Sequence, residues 1–175
     1  TFSNRTHLVG IGECEACLPG MYCDRPGLHA PAGACDAGYY CSRGASSRTP
    51  DRNRNYVGDT CVDQSNASAN GLCPPGHYCP AGTSAPEACE MGTFAEGPGL
   101  RNASQCRECS PGYVCGRQGL SLLATAYCPA GFYCPTEKTT EAEVCPQGSF
   151  CVEGSFGKYC ATVANDSPGC DPGQK

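Results

Sequence analysis

A seven-residue segment with cysteine at both ends and glycine at its fourth place recurs along this chain. We number its seven copies in chain order. Copy 4, Cys89–Ala95, has alanine at the closing place, and an aromatic residue precedes the closing place in six of the seven copies. Such repetition predicts an array of small structural units. The six complete copies are Cys17–Cys23, Cys35–Cys41, Cys73–Cys79, Cys109–Cys115, Cys128–Cys134 and Cys145–Cys151.

The composition explains why the chain needs so many cysteines. Leu, Ile, Val and Phe are scarce and Trp is absent, so burial of a core alone cannot offset the conformational entropy of the chain. Eighteen cysteines in 175 residues are typical of a disulfide scaffold. The 23 glycines and 15 prolines favour turns over helices. We therefore predict a small disulfide-rich fold, an elongated tandem array of short β-hairpins and loops with little helix.

Each place in the segment has a predicted physical role. Glycine after a proline or a small residue permits a turn with positive φ, which other residues resist. The aromatic ring before the closing place would lie on a disulfide or on a neighbouring glycine. In a chain with few aliphatic residues, these rings are the expected local cores.

The segment resembles the ephrin-receptor-like cysteine-rich repeat of extracellular proteins. The strongest match is Cys89–Cys115, with a C-x-x-G-T-F opening, a loop with glycine and serine, and then C-x-x-C before C-x-P-G. The resemblance extends from residue 14 to about residue 160 and is poor in 42–60. A less specific similarity, in the C-x-x-G-x-[YF] opening, is to tumour-necrosis-factor-receptor-like modules. Both resemblances imply a non-enzymatic extracellular rod or stalk.

One disulfide is predicted from the incomplete copy. Cys89 has no closing cysteine in its own segment and the next cysteine is Cys106, so we predict that these two pair. The other cysteines allow two schemes. We favour links that interleave neighbouring copies, such as Cys109–Cys128 with Cys115–Cys134. The alternative closes each segment on itself, because a glycine turn could bring its cysteine Cα atoms to about 5.5 Å.

The even number of cysteines and four N-glycosylation triplets favour the secretory pathway and an extracellular or cell-surface location. No export signal is recognisable in the sequence, so we expect a mature product or a fragment of a larger ectodomain. No stretch reaches the roughly 20 apolar residues of a membrane span. The predicted glycan acceptors are Asn4, Asn66, Asn102 and Asn165.

The spacing of the cysteines also predicts the organisation of the chain. We expect an extended leader at 1–13 and a tail at 161–175. Between them we expect three groups of repeats, in which only the six complete copies are counted. Repeats 1–2 lie in 14–72, which includes an arginine-rich loop at 42–60. Repeats 3–4 lie in 73–115, which includes the incomplete copy 89–95, and repeats 5–6 lie in 116–160.

Two segments are candidates for binding a partner. The loop 42–60 is either a solvated loop or a contact for an acidic glycan, headgroup or protein. The segment 116–127 is the most apolar part of the chain, and it either packs locally or contacts a partner. The candidate contact residues are Arg48, Arg52, Arg54, Leu120, Leu122 and Leu123.

The sequence offers little for catalysis or for a cofactor. The net charge of −5 argues against nucleic-acid binding. Cys14–Cys17 and Cys106–Cys109 have a zinc-like spacing, but histidine is scarce and we expect disulfides instead. No catalytic motif is present. We predict a non-enzymatic spacer without cofactor, which assembles or presents neighbouring extracellular domains or filament neighbours, or alternatively a ligand-binding module that uses 42–60 or 116–127.

Overall fold

The computed structural model describes residues 1–50 and 70–157, together with the backbone of Tyr159 and Cys160. Regular structure in these ranges consists of two-residue strands and three single turns of 3-10 helix, with no α-helix in the part described. The prediction of a small disulfide-rich fold with little helix is confirmed. The 3-10 turns are Ile11–Glu13, Ala103–Gln105 and Leu123–Thr125.

The strands arise from one repeated arrangement. The fifth and sixth residues of a copy form a strand that pairs in antiparallel orientation with a later two-residue strand. In the first five of these six pairs, the later strand directly precedes the opening cysteine of the next copy. In copy 5 the pair is reduced to a single bridge between Tyr113 and Tyr127. The pairs are β1 (Met21–Tyr22) with β2 (Gly33–Ala34), β3 (Tyr39–Tyr40) with β4 (Gly71–Leu72), β5 (His77–Tyr78) with β6 (Glu87–Ala88), β7 (Thr93–Phe94) with β8 (Arg107–Glu108), β9 (Phe132–Tyr133) with β10 (Glu143–Val144), and β11 (Ser149–Phe150) with β12 (Tyr159–Cys160).

The glycine at the fourth place forms the predicted turn. In all seven copies its φ lies between 77° and 91°. The N–H of the fifth residue donates to the C=O of the second residue at 3.0–3.3 Å. Positive φ at the third residue of the turn alone, with this hydrogen bond, is a type II β-turn. The glycine role predicted from the sequence is confirmed.

The disulfides follow from this turn. Six of them close a copy on itself, with Cα–Cα distances of 5.8–6.5 Å. The prediction that Cys89 pairs with Cys106 is confirmed, at a Cα–Cα distance of 5.9 Å. The interleaved links Cys109–Cys128 and Cys115–Cys134 are wrong, because the structure contains Cys109–Cys115 and Cys128–Cys134. The type II turn reverses the chain within seven residues and brings its two cysteines within disulfide range.

Successive copies are joined by backbone hydrogen bonds on both sides of the turn glycine. The N–H of Gly112 donates to the C=O of Cys134, and its C=O accepts from the N–H of Cys128, both at 2.9 Å. Gly112 therefore bonds to the opening and closing cysteines of the next copy. The same pair of bonds, at 2.7–3.0 Å, is made by Gly20, Gly38, Gly92 and Gly131.

A second pair of bonds flanks the first. The N–H of Cys115 donates to Thr139 C=O at 2.8 Å, and the N–H of Lys138 donates to Cys109 C=O at 3.0 Å. At each junction an equivalent of Lys138 lies three or four positions after the closing place of a copy, and it has a positive φ. We call it the second-turn residue. It is glycine elsewhere, at Gly44, Gly82, Gly99, Gly119 and Gly154, and each of these N–H groups donates to the opening cysteine of the preceding copy at 2.8–2.9 Å.

The interior is built mainly from cystine and aromatic rings. Tyr22 packs against the Cys35–Cys41 disulfide of the next copy, and Tyr40 forms a cluster with Cys73 and Cys79. The largest cluster contains Phe94, Cys109, Cys115, Leu120 and Ala126. The predicted local cores are therefore present, and in these clusters the ring of one copy lies on the disulfide of the following copy.

The chain divides into two compact units. The first contains 1–88 and 97–105, and the second contains 89–96 and 106–175. Copies 1 to 3 lie in the first unit and copies 4 to 7 lie in the second.

Candidate interaction surface

The apolar segment 116–127 follows copy 5 in the second unit, and part of it is interior. Leu120 is only 2% exposed and lies in the cluster with Phe94 and the Cys109–Cys115 disulfide. Its C=O accepts the N–H of Ala95 at 2.9 Å. Leu120 was predicted as a possible partner contact; this is corrected, because its side chain is buried within the chain itself.

The next two leucines differ in exposure. Leu123 is half-buried and packs against the same cluster, whereas Leu122 is 50% exposed. Leu122 directly precedes the 3-10 turn, and its C=O accepts both the N–H and the hydroxyl of Thr125, at 3.2 and 2.8 Å. These two bonds hold the backbone of Leu122 while its side chain faces solvent.

A groove of about 390 Å³ lies beside this turn. Leu120 and Ala126 are buried at its floor, and exposed Arg117 and Tyr127 stand among its lining residues. No ion pair formed within the described residues involves Arg117. The groove therefore combines an apolar floor with a positive charge. Its complete lining is Val114, Gly116, Arg117, Leu120, Thr125, Ala126 and Tyr127.

Two tyrosines form one side of this surface. The rings of Tyr113 and Tyr127 stack with centroids 5.0 Å apart and an interplanar angle of 26°. The side-chain hydrogen bond with Tyr127, with a smaller contribution from desolvation, raises the pKa of Tyr113 above its ordinary value. The Tyr113 phenol therefore stays neutral at physiological pH, and the stacked pair offers an aromatic face.

The arginine-rich loop is described only in part. The Arg48 guanidinium lies 3.6 Å from a carboxylate oxygen of Asp36, and the C=O of Arg48 accepts the N–H of Asp36 at 2.9 Å. Arg48 is thus anchored to the beginning of copy 2, with most of its side chain exposed. Arg52 and Arg54 lie outside the described residues.

Two of the four glycan acceptors can be located. Asn4 and Asn102 are both exposed. The hydroxyl of Ser104 donates to Oδ1 of Asn102 at 2.6 Å, within the 3-10 turn Ala103–Gln105 and its preceding residue. Asn66 and Asn165 lie outside the described residues.

The C-x-x-C spacing at Cys106–Cys109 is not a metal site. Cys106 bonds to Cys89 and Cys109 bonds to Cys115, so the two sulfurs belong to different disulfides. Throughout 1–50 and 70–157 there is no group of three or more His, Cys, Asp or Glu placed to hold a metal ion. None of the helices in the described residues has the length and apolar character needed to span a membrane.

Sequence reasoning missed the second-turn residues, the charge of Arg117 beside the groove and the Tyr113–Tyr127 stack. The second-turn glycines had a visible signal, since a glycine follows most closing places by three or four residues. The groove had no such signal, because its lining residues meet only after the chain folds.

Comparison with known proteins found no matching family model and no matching curated protein. A function for the chain must therefore be inferred from its repeat geometry and its surfaces.

Proposed function

We propose that this chain is a non-enzymatic structural region of an extracellular or cell-surface protein, a disulfide-laddered stalk that spaces or presents neighbouring domains. The observation that carries the proposal is the repeated junction between copies. Backbone hydrogen bonds to the following copy, or to the segment directly after it, are made by the opening cysteine, the turn glycine and the closing residue. Such neighbour-to-neighbour bonding is the organisation of repeat proteins, whose stability comes from stacking similar units.

The disulfides support the extracellular location. Seven disulfides in the described residues need an oxidising compartment to form and persist. The similarity of Cys89–Cys115 to ephrin-receptor-like repeats, which occur in extracellular proteins, agrees with this location. The exposed Asn102 triplet suits a secreted glycoprotein, because its acceptor amide and its serine hydroxyl are both at the surface.

A spacer must hold its ends at a defined separation, and this requirement can be tested. Fluorescent domains would be fused before Thr1 and after Lys175, and energy transfer would be measured on single molecules. We expect a narrow distance distribution in the oxidised chain and a broad one after reduction, because the copies are held by disulfides rather than by a large core. A distribution equally broad in both states would contradict the spacer role.

A second function, partner binding, is favoured by one observation, the groove beside Leu122. Exposed Leu122 and Tyr127 next to Arg117 would suit a protein segment that carries an apolar side chain and a carboxylate. Leu122→Ser and Arg117→Glu would be compared with Arg101→Glu, an exposed arginine in the first unit. Loss of capture of an extracellular partner by the first two variants only would favour this function. Capture unchanged in all three would exclude the groove.

A further inference from the structure

The first three residues of the chain pair as though they ended a copy. Phe2 forms an antiparallel bridge with Glu15 and a parallel bridge with Leu28. The N–H groups of Phe2 and Ser3 donate to the C=O groups of Glu15 and Leu28, both at 2.9 Å. Residue 15 lies two positions before the opening cysteine of copy 1, and residue 28 lies five positions after its closing cysteine.

Copy 4 makes the same contacts in the second unit. Phe94 bridges Arg107 in antiparallel pairing and Leu120 in parallel pairing, and the N–H of Ala95 donates to Leu120 at 2.9 Å. Arg107 and Leu120 stand two positions before and five positions after the ends of copy 5. The two sequences agree with this shared pairing, since Thr1-Phe2-Ser3 aligns with Thr93-Phe94-Ala95 of copy 4. The first three residues therefore hold places five to seven of a copy.

Copy 1 also presents the backbone groups that bind a preceding turn glycine. At the next junction the N–H of Cys35 donates to Gly20 at 3.0 Å, and the C=O of Cys41 accepts from Gly20 at 2.7 Å. The equivalent groups of copy 1 are the N–H of Cys17 and the C=O of Cys23. Neither makes a hydrogen bond within the described residues, although Cys17 is fully buried and Cys23 is 4% exposed.

A third group completes this edge. Gly27 follows Cys23 by four residues and has a φ of 75°, so it is the second-turn residue of copy 1. The N–H groups of its equivalents donate to an opening cysteine, as Gly44 does to Cys17 at 2.9 Å. The N–H of Gly27 makes no hydrogen bond in the described part of the chain. Gly27 is exposed, but Cys17 and Cys23 are buried, and buried backbone groups without partners are uncommon in folded proteins.

We propose that this edge, formed by Cys17 N–H, Cys23 C=O and Gly27 N–H, is a docking surface for a four-residue segment that lies directly before Thr1, holds places one to four of a copy, and ends in the glycine of a type II turn whose last residue is Thr1. The turn glycine would donate to Cys23 and accept from Cys17, and the residue at the opening place of the segment would accept from Gly27. Three hydrogen bonds would then repeat the junction between interior copies. The edge therefore continues an interface that the chain already uses.

The position of Phe2 decides between a turn in the same chain and a turn from a second molecule. In each interior junction the turn runs without a break into places five and six, which form a short strand or, in copy 5, a single bridge. Thr1 and Phe2 already occupy those places at this edge. A turn from another molecule would bring its own strand residues into the space that Thr1–Ser3 fill.

Extension of the full chain by Ser-Pro-Ala-Gly directly before Thr1 tests the proposal. Serine at the opening place avoids any new disulfide. The matched control is Ser-Pro-Ala-Val, because valine strongly resists the positive φ that the turn needs. The readout is amide hydrogen exchange, measured by NMR at Cys17 and Gly27, with Gly44 as an internal reference for the folded ladder.

We expect the glycine extension to slow exchange at Gly27 about tenfold or more, with additional protection at Cys17, and the valine extension to leave both rates unchanged. Equal rates in the two extended chains would overturn the proposal. Loss of protection at Gly44 would also overturn it, since the extension would then displace the ladder. Protection at Gly27 that rises with protein concentration in the chain without extension would assign the edge to a second molecule instead. None of these outcomes bears on the distance distribution that tests the spacer role.

Discussion

Glycine stands at the fourth place of all seven copies, and at some of them two separate demands keep it there. The first is the positive φ of the type II turn. The second is close packing against a later segment of the same unit. A Cβ atom at Gly112 would lie 2.6 Å from the carbonyl oxygen of Gly154, whereas a Cβ atom at Gly131 would meet nothing within 4 Å.

This contrast predicts different costs for one substitution. Gly131→Ala should lower the free energy of unfolding by about 1–2 kcal/mol, the usual cost of a left-handed non-glycine residue. Gly112→Ala should lower it by more, because the backbone oxygen of Gly154 must also move. Urea denaturation of both variants under oxidising conditions measures the difference. Equal losses would show that the close approach has no energetic consequence.

Lys138 is the exception among the second-turn residues. Its φ is 57°, and its Nζ lies 2.7 Å from Oε1 of Glu108. The Glu108 carboxylate raises the pKa of Lys138 above its ordinary value. The favourable charge interaction is therefore fully present below the ordinary lysine pKa and is lost as the pH rises through the higher pKa of the folded state.

Two substitutions separate the backbone conformation of Lys138 from its charge. Lys138→Gly and Lys138→Ala both remove the ion pair with Glu108, but only glycine relieves the left-handed conformation. We expect the glycine variant to be more stable than the alanine variant by about 1 kcal/mol. Thermal or urea denaturation compares them directly. An alanine variant as stable as the glycine variant would contradict the assigned backbone role.

At the scale of the element, the segment 116–127 is both a connection and part of a core. Leu120 and Leu122 are two positions apart, yet one is 2% exposed and the other 50% exposed. The backbone bond from Ala95 to Leu120 holds the first leucine inward. The 3-10 turn that follows Leu122 leaves the second facing solvent.

The two leucines should therefore respond differently to truncation. Leu120→Ala should cost about 2–5 kcal/mol of stability, because it leaves a cavity against Phe94 and the Cys109–Cys115 disulfide. Leu122→Ala should stay within about 0.5 kcal/mol of the parent chain. Denaturation midpoints of the two variants provide the comparison. A similar loss in both would mean that the segment packs differently from the structure.

At the scale of the whole molecule, the disulfide pattern determines how the copies are connected. Closed copies leave neighbouring copies joined by backbone hydrogen bonds and ring packing, without a covalent link between their cysteines. Cys89–Cys106 differs, because it spans 17 residues and encloses the loop 97–105, which belongs to the other compact unit. Among the seven disulfides between described cysteines, the covalent framework is thus mostly local, with one longer loop.

Tryptic digestion without reduction tests this pattern. Cleavage after Arg107, Arg117 and Lys138 gives one peptide with Cys109 and Cys115 and another with Cys128 and Cys134. Closed copies predict that the two peptides separate, each with an internal disulfide. Interleaved pairing would keep them linked until reduction, and mass spectrometry distinguishes the two results. The peptide 102–107 should remain attached to the peptide that contains Cys89.

The sequence alone determined the features that depend on neighbours along the chain. The positive φ of the turn glycine could be predicted because a type II turn is a four-residue structure with its own residue preferences. The partner of Cys89 could be predicted because copy 4 lacks a closing cysteine and Cys106 is the next one available. Scarce aliphatic residues and frequent cysteines were sufficient for the fold class.

Only the tertiary structure decided the features that depend on distances between residues remote in sequence. The choice between closed and interleaved disulfides depended on Cα separations that the turn sets in space. Leu120 and Leu122 are chemically identical, and only the packing of Phe94 and the disulfide of copy 5 makes one interior and the other exposed. The pairing of Phe2 with Glu15 and Leu28 was likewise hidden, because two-residue strands carry almost no pattern and take their register from the copy against which they lie.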